Sequence, residues 1–295
     1  MTTASPTNGE SAFGDREFRY TPRDFRRIAD YLYTDAGIAL SDAKAPLVYA
    51  RLVKRIRALG LESFSRYCAL VNSAEGADER ARMTDALTTN VTRFFREPHH
   101  FTHLRNTVLP PLLDGIRKGG RLRIWSAGCS SGEEPYSIAL SILAVMPDAA
   151  SFDVRVLATD ISAQMIAHGV QGIYSEAAVA PVDRQMRADW FVPVRGAEGG
   201  RSWKVGPALS KLVNFRELNL TKAWPMTATY HAIFCRNVLI YFEEQDRVRI
   251  WRRMAPLLAP DARLYIGHSE RVYGASGLYA LEAPTTYRRL AGEAE

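Results

Sequence analysis

The chain has 295 residues, 47% hydrophobic and 24% charged, with a formal charge of +6: apolar content enough for a packed core, and a charge too modest at this length to demand nucleic acid. Cys68, Cys129 and Cys235 are too few and too scattered for a disulfide framework, and no C-x-x-C pair offers metal ligands, so a reducing, cytoplasmic setting is expected. No apolar run approaches the roughly 20 residues of a membrane span, so membrane insertion is not expected.

The first residues, 1–19, mix Ser, Thr, Gly and charges without an apolar core and read as a loose tail, not a signal sequence. "YTPRDF" then predicts a helix start: Thr21 as cap, Pro22 at the first helical position and Asp24 three residues past the cap, with Gly37 as the stop. Phe25, Ile28 and Leu32 supply its apolar stripe. In "PLVYARLVKRIRAL" the residues Val48, Leu52, Ile56 and Leu59 recur at helical spacing. Arg51, Lys54 and Arg55 share the other side, with Arg57 nearby, so this helix carries a cationic face that is either a docking surface or simply solvated. Further helices near 61–72 and 79–87 complete a helical, basic unit over 20–88.

From Arg121 the pattern alternates strand and helix: "RLRIWSAG", a helix from about Glu134, "DVRVLATD", a helix from about Ser162. That rhythm predicts an α/β fold with a doubly wound, mostly parallel sheet over 89–295. It breaks down between Gly172 and Leu220, where "WFVPV", "RGAEGG" and "SWKV" read as a hairpin, so a β subdomain inserted at about 173–216 is expected. The rhythm resumes with "HAIFCRNVLIYF", a helix over about 243–258, "ARLYIGHS" and a closing strand "TTYRRL".

The most informative stretch is "WSAGCSSGEEPYS", Trp125 to Ser137, at a strand exit and helix entrance, where small residues let a ligand approach the backbone. Gly128 and Gly132 do not fit the dinucleotide fingerprint, no Lys-Ser or Lys-Thr follows to make a P-loop, and Glu133 and Glu134 oppose a phosphate. Carboxylates beside a glycine loop suit instead a cation bearing hydroxyls, such as S-adenosylmethionine; either glutamate alone would also suit a helix cap. Asp160 closes the second strand, where an acidic residue accepts hydrogen bonds from ribose, although it too could cap a helix. Arg236, Asn237 and Tyr241 are polar groups at the end of an apolar strand, where core packing alone would not put them.

"TTNVTRFFREPHHF", "WSAGCSSGEEPYSIA", "ATDIS", "FCRNVLIYF" and "GHSE" together resemble, in order and spacing from about Thr21 to Leu290, the chemotaxis receptor methyltransferases of the CheR family. The resemblance implies an S-adenosylmethionine-dependent protein-glutamate O-methyltransferase that forms glutamyl methyl esters on chemoreceptors and releases S-adenosylhomocysteine. It implies that Asn90, Thr92, Arg96, Glu134, Asp160, Asn219, Leu220, Arg236 and Asn237 contact the cofactor, with Arg96 and Tyr241 nearest the methyl group and acting in catalysis. It also implies that the face bearing Arg51, Lys54, Arg55 and Arg57 docks an acidic helical methylation region of the receptor. The chain is expected to act as a monomer.

His99, His100 and His103 lie close in sequence but read as structural, because a zinc site would favour an i, i+4 pair and a third ligand type; no metal is expected. A glutamate side chain, with a pKa of about 4.3, is already ionised at neutral pH, so in-line methyl transfer to it needs no general base. The nearest rival, a nucleic-acid methyltransferase, lacks its motifs: Pro110 and Pro111 are followed by Leu112, and neither Cys129 nor Cys235 follows a proline.

Overall fold

The computed structural model describes residues 17–196, 199–275 and 277–290. The tail expected over 1–19 lies almost wholly outside the described residues, as do Ala197 and Glu198 of the expected hairpin turn. The chain divides into two compact units: 1–89 with Tyr241–Glu243, and 90–240 with 244–295.

The first unit is helical. In α1, Pro22–Ala36, Thr21 Oγ1 accepts from the Asp24 N–H while the Asp24 carboxylate accepts from the Thr21 N–H, and Gly37 ends the helix at φ 72°. That reciprocal cap satisfies two N–H groups that the helix itself cannot, which explains a start at this proline. Helices α2, Ala45–Ala58, α3, Phe64–Asn72, and α4, Ala77–Leu87, follow. Val48, Leu52 and Ile56 of α2 are fully buried and contribute about 1.5–3 kcal/mol each.

The polar side of α2 is put to internal use. Arg51 Nη1 donates to the Leu87 and Thr88 carbonyls at 2.8 Å each, closing the end of α4, where such carbonyls lack helical partners. Arg55 forms a two-pronged pair with the buried Glu79, whose carboxylate also accepts from Tyr67 Oη at 2.9 Å. Arg57 pairs with Glu17 at the surface, and Lys54 is exposed. The expected cationic face is therefore corrected: Arg51 and Arg55 hold the helical unit together and point their charge inward.

The second unit opens with α5, Pro98–His103, and α6, Leu113–Arg117. Its core sheet runs β1, Leu122–Ala127; β2, Val154–Asp160; and, after a β excursion, β6, Val213–Glu217; β7, Tyr230–Cys235; β8, Leu258–Ile266; β9, Tyr279–Ala283; and β10, Thr286–Arg289. The spatial order is β6-β2-β1-β7-β8-β10-β9, parallel from β6 to β8 and antiparallel beyond. Helices α7, Glu133–Val145, and α8, Ala163–Gln171, make the crossovers on one side of β1. Nearly all of α7 is buried, so its sequence is apolar all round instead of striped.

The excursion is a three-stranded antiparallel sheet of β3, Ile173–Ser175, β4, Phe191–Arg195, and β5, Arg201–Val205, in the order β3-β5-β4, with α9, Arg184–Trp190, before β4. Here the structure corrects the sequence reading. After α10, Pro207–Leu212, the residues of β6 pair in parallel with β2, so they belong to the core sheet and not to an insertion reaching 216. Only the partner strand reveals this, because five residues of alternating burial suit either sheet. The strand expected through "HAIFCRNVLIYF" also stops at Cys235, followed by a 3-10 turn, Leu239–Tyr241, and then α11, Glu244–Met254. β9 was not foreseen.

Candidate active site

The chain turns one way from β1 through β2 to β6 and the other way from β7 to β8, so the order reverses between β1 and β7. In a doubly wound sheet, the crevice outside the carboxyl ends of the strands at such a reversal is where ligands bind. The segments that the sequence reading singled out meet there: 127–134 after β1, Asp160 at the end of β2, and Arg236 and Asn237 after β7.

Asp160 is 8% exposed, and both its oxygens are engaged by backbone: Oδ2 accepts from the Ser130 N–H at 2.7 Å and Oδ1 from the Ser162 N–H at 3.0 Å. The side-chain cap of α8 is Ser162, not Asp160. Asp160 thus splices the β1 loop to the β2 end. The glycines of the loop serve protein packing. At Gly128, φ 79°, an added Cβ would lie 2.3 Å from Val238 Cγ2, and at Gly132, φ 100°, 2.7 Å from Tyr174 Oη. Neighbouring side chains thus occupy the space that a Cβ at either position would need.

Glu134, on the first turn of α7, accepts from Ser126 Oγ at 2.7 Å and from Arg236 Nη1 at 2.9 Å. Burial raises its carboxyl above the usual carboxylate range, against the pull of Arg236. Arg236 is itself 6% exposed; its other arm donates to the Arg96 carbonyl and lies 3.3 Å from Glu97 Oε2. Arg236 is thus a clamp between β7, α7 and the 90–97 segment. Asn237 adopts φ 59°, and its Oδ1 is buried without a hydrogen-bond partner.

The 90–97 segment is tied down at several points. The Asn90 carbonyl accepts from Ser130 Oγ at 2.9 Å, the Phe95 N–H donates to Ser137 Oγ at 2.9 Å, and Arg96 Nη1 folds back to the Val91 carbonyl at 3.0 Å. Phe94 is buried and Thr92 half-buried. Phe95, Glu97, Ser130 and Asn237 are four of the six non-glycine residues at positive φ among those described. Backbone strain of that kind costs about 1–3 kcal/mol per residue and persists where the surroundings over-determine it, commonly at functional sites. Asn219 turns the chain after β6, its Oδ1 accepting from the Thr221 N–H and hydroxyl, and the carbonyl of the buried Leu220 accepts from Trp224 Nε1 and Arg253 Nη1.

Tyr241 does not stand at a strand end. It belongs to the first unit, where its carbonyl accepts from the Ala39 N–H at 2.8 Å.

Two residues of this region were missed. Glu97 accepts from His268 Nδ1 at 3.1 Å, and although burial pushes its carboxyl up, Arg236 and His268 together hold it below the usual range. Glu97, His99 and His100 bring possible ligand atoms within 4.8 Å of one another, so a carboxylate does stand beside two of the histidines. Arg236 already supplies positive charge at that carboxylate, and His100 Nε2 is 2.8 Å from Thr285 Oγ1. The second missed residue is Glu270, whose carboxylate gathers the N–H groups of Asn237, Val238, Leu239 and Gly267. It ends the quoted "GHSE", but nothing local to those four residues names its partners.

Burial raises the thiols of Cys129 and Cys235 well above their ordinary value, which leaves neither as a nucleophile. What the site offers is a crevice with acidic residues on two strand-to-helix turns and an orphaned buried amide oxygen at a third. Those features fit a cofactor that carries a positive charge, hydroxyls and hydrogen-bond donors.

Residues 90–287 match the model of the CheR methyltransferase, SAM binding domain, and residues 23–88 that of the CheR methyltransferase, all-alpha domain. The probable chemotaxis protein methyltransferase of Rhizobium etli is 50% identical over 258 residues, covering 87% of this chain and 96% of the relative. Chemotaxis protein methyltransferase 2 of Pseudomonas aeruginosa is 38% identical over 290 residues, 97% of this chain and 99% of the relative. The chemotaxis protein methyltransferase of Salmonella typhimurium is 37% identical over the same length, covering 97% and 98%.

Proposed function

The chain belongs to the CheR methyltransferase family, and on that footing we propose that it methylates glutamate side chains of chemoreceptors, using S-adenosylmethionine. The observation that supports this reading is the placement of Glu134 after β1, Asp160 at the end of β2 and Asn237, with its unpartnered buried Oδ1, after β7, on either side of the sheet's reversal point. S-adenosylmethionine, when bound, supplies an electrophilic methyl group on a sulfonium.

Asp160 is the proposed acceptor for ribose hydroxyls, and Asn237 and Asn219 orient polar groups of the cofactor. Glu134 lends negative potential while remaining tied to Arg236. Asn90, Thr92 and Leu220 complete the proposed wall.

The incoming glutamate is ionised at neutral pH, so this chain need move no proton to activate it. Carboxylate and sulfonium neutralise each other as the methyl passes, so a site that excludes water favours transfer over one that adds countercharge. Arg96 is accordingly proposed to position: a tight two-pronged pair with the nucleophile would stabilise the ground state and slow the step. The folding-back of Arg96 onto the Val91 carbonyl supports such a restrained role. Tyr241 is kept as the second proposed catalytic residue by the family resemblance alone.

The proposed partner surface is the helical unit, facing an acidic helical region of the receptor. Lys54 and Arg57 are the exposed cations of α2 that suit it, since Arg57 holds Glu17 only through an exposed pair, worth about 1 kcal/mol or less. Labelled S-adenosylmethionine incubated with receptor-bearing membranes should give a base-labile label on receptor glutamates. Stable label on nucleic acid, or no transfer by folded protein, rejects the reading. Unchanged turnover in both Arg96→Ala and Tyr241→Phe rejects the two catalytic assignments.

A further inference from the structure

The turn "GHSE", Gly267 to Glu270, follows β8. Its last residue is 5% exposed and brings a carboxylate to four backbone N–H groups: Asn237 at 2.8 Å, Val238 at 3.1 Å, Leu239 at 2.9 Å and Gly267 at 2.6 Å. Three of these donors are consecutive residues leaving β7 and the fourth opens the turn itself. Its first residue is a glycine for a matching reason. A Cβ at Gly267 would lie 2.5 Å from Asn237 Nδ2 and 2.8 Å from both Asn237 Cγ and Asn237 N. Asn237, held between the two, sits at φ 59° with its Oδ1 buried and unpartnered.

The physical sense of this arrangement is that a left-handed asparagine needs its strain offset. A run of N–H groups curled around one carboxylate does so, because charge-assisted hydrogen bonds to a buried anion are stronger than neutral ones. Burial raises the Glu270 carboxyl against the lowering effect of those donors, so the nest and its occupant are balanced against desolvation.

We propose that Glu270 is a positioning residue of the cofactor site, acting through Asn237, with Gly267 as the space that lets Asn237 take its place. The inference rests on the reading that Asn237 contacts S-adenosylmethionine. Glu270 itself touches no substrate in this scheme; it sets the direction of the Asn237 amide. A glutamine in its place offers one acceptor oxygen, and its NH₂ meets donors, so the curl of residues 237–239 opens.

The test is cofactor binding by calorimetry on the full chain, with wild type measured first. Glu270→Gln should weaken binding at least tenfold, about the effect of losing one or two charged hydrogen bonds. Turnover at saturating cofactor should fall much less, and Glu270→Asp, which keeps the charge, should recover part of the affinity. In an Asn237→Ala background the same Glu270→Gln change should cost less than about twofold, since contacts acting through one residue are not additive. If Glu270→Gln does not fold, Gly267→Ala carries the test, with the same loss in the wild-type background and the same absence of loss beside Asn237→Ala. Wild-type affinity in folded Glu270→Gln, or an equal loss with and without Asn237, overturns the inference. Failure of the wild-type chain to bind S-adenosylmethionine overturns instead the reading beneath it.

Discussion

Arg236 donates through Nη1 to Glu134 Oε2 at 2.9 Å, joining the end of β7 to the first turn of α7 across 102 positions of sequence. With its other arm near Glu97, this one guanidinium is shared between two carboxylates that lie largely out of water. Removing one partner of such a group leaves buried charge uncompensated. Arg236→Met should lose about 3–5 kcal/mol of unfolding free energy, and Glu134→Gln added to it should restore part of that. Urea unfolding at fixed pH measures both, and an Arg236→Met chain as stable as wild type contradicts the clamp.

Asp160 splices the β1 loop to β2 and is the proposed acceptor for the ribose. Asparagine has a single acceptor oxygen, so in Asp160→Asn either the Ser130 or the Ser162 N–H loses its partner, at about 1–3 kcal/mol. Cofactor affinity should fall at least tenfold as well. Calorimetry and thermal unfolding on one preparation read the two effects separately.

His100 is fully buried, and burial presses its pKa down to about 2, while an unfolded chain holds it near 6.5. The fold therefore favours neutral imidazole, and below pH 6.5 the unfolded state gains a proton that the native state refuses. Its stabilising contribution is complete above pH 6.5 and declines as pH falls, by roughly 1.4 kcal/mol per unit once well below that value. His100→Gln should show a shallower loss of stability from pH 6.5 to 4.5. Parallel slopes would mean that the ring takes up its proton inside the fold.

In the helical unit, stability and recruitment separate by residue. Arg55→Met should destabilise the unit by about 3–5 kcal/mol by leaving the buried Glu79 unpaired. Lys54→Glu should leave stability within about 0.5 kcal/mol while weakening receptor binding, most at low salt. Pelleting with receptor membranes across a salt series checks the second half, and salt-independent binding would remove Lys54 from the docking surface.

The sequence carried the local part of this account. The Thr21 and Asp24 cap, the apolar stripes of α1 and α2 and the strand-to-helix rhythm around β1 and β2 each depend on residues a few positions apart, where caps and periodicity act. The acidic residues at the turns after β1 and β2 were legible for the same reason: in a doubly wound sheet, chain position fixes which end of a strand faces the crevice. Partner choice lay beyond that reach. That Arg55 holds Glu79, that Arg236 holds Glu134 and Glu97, that Val238 packs over Gly128, and that β6 joins the core sheet are decided between segments distant in sequence. Glu270 shows why most plainly: a carboxylate reads alike whether it meets water or four N–H groups, and only the folded chain brings the donors to it.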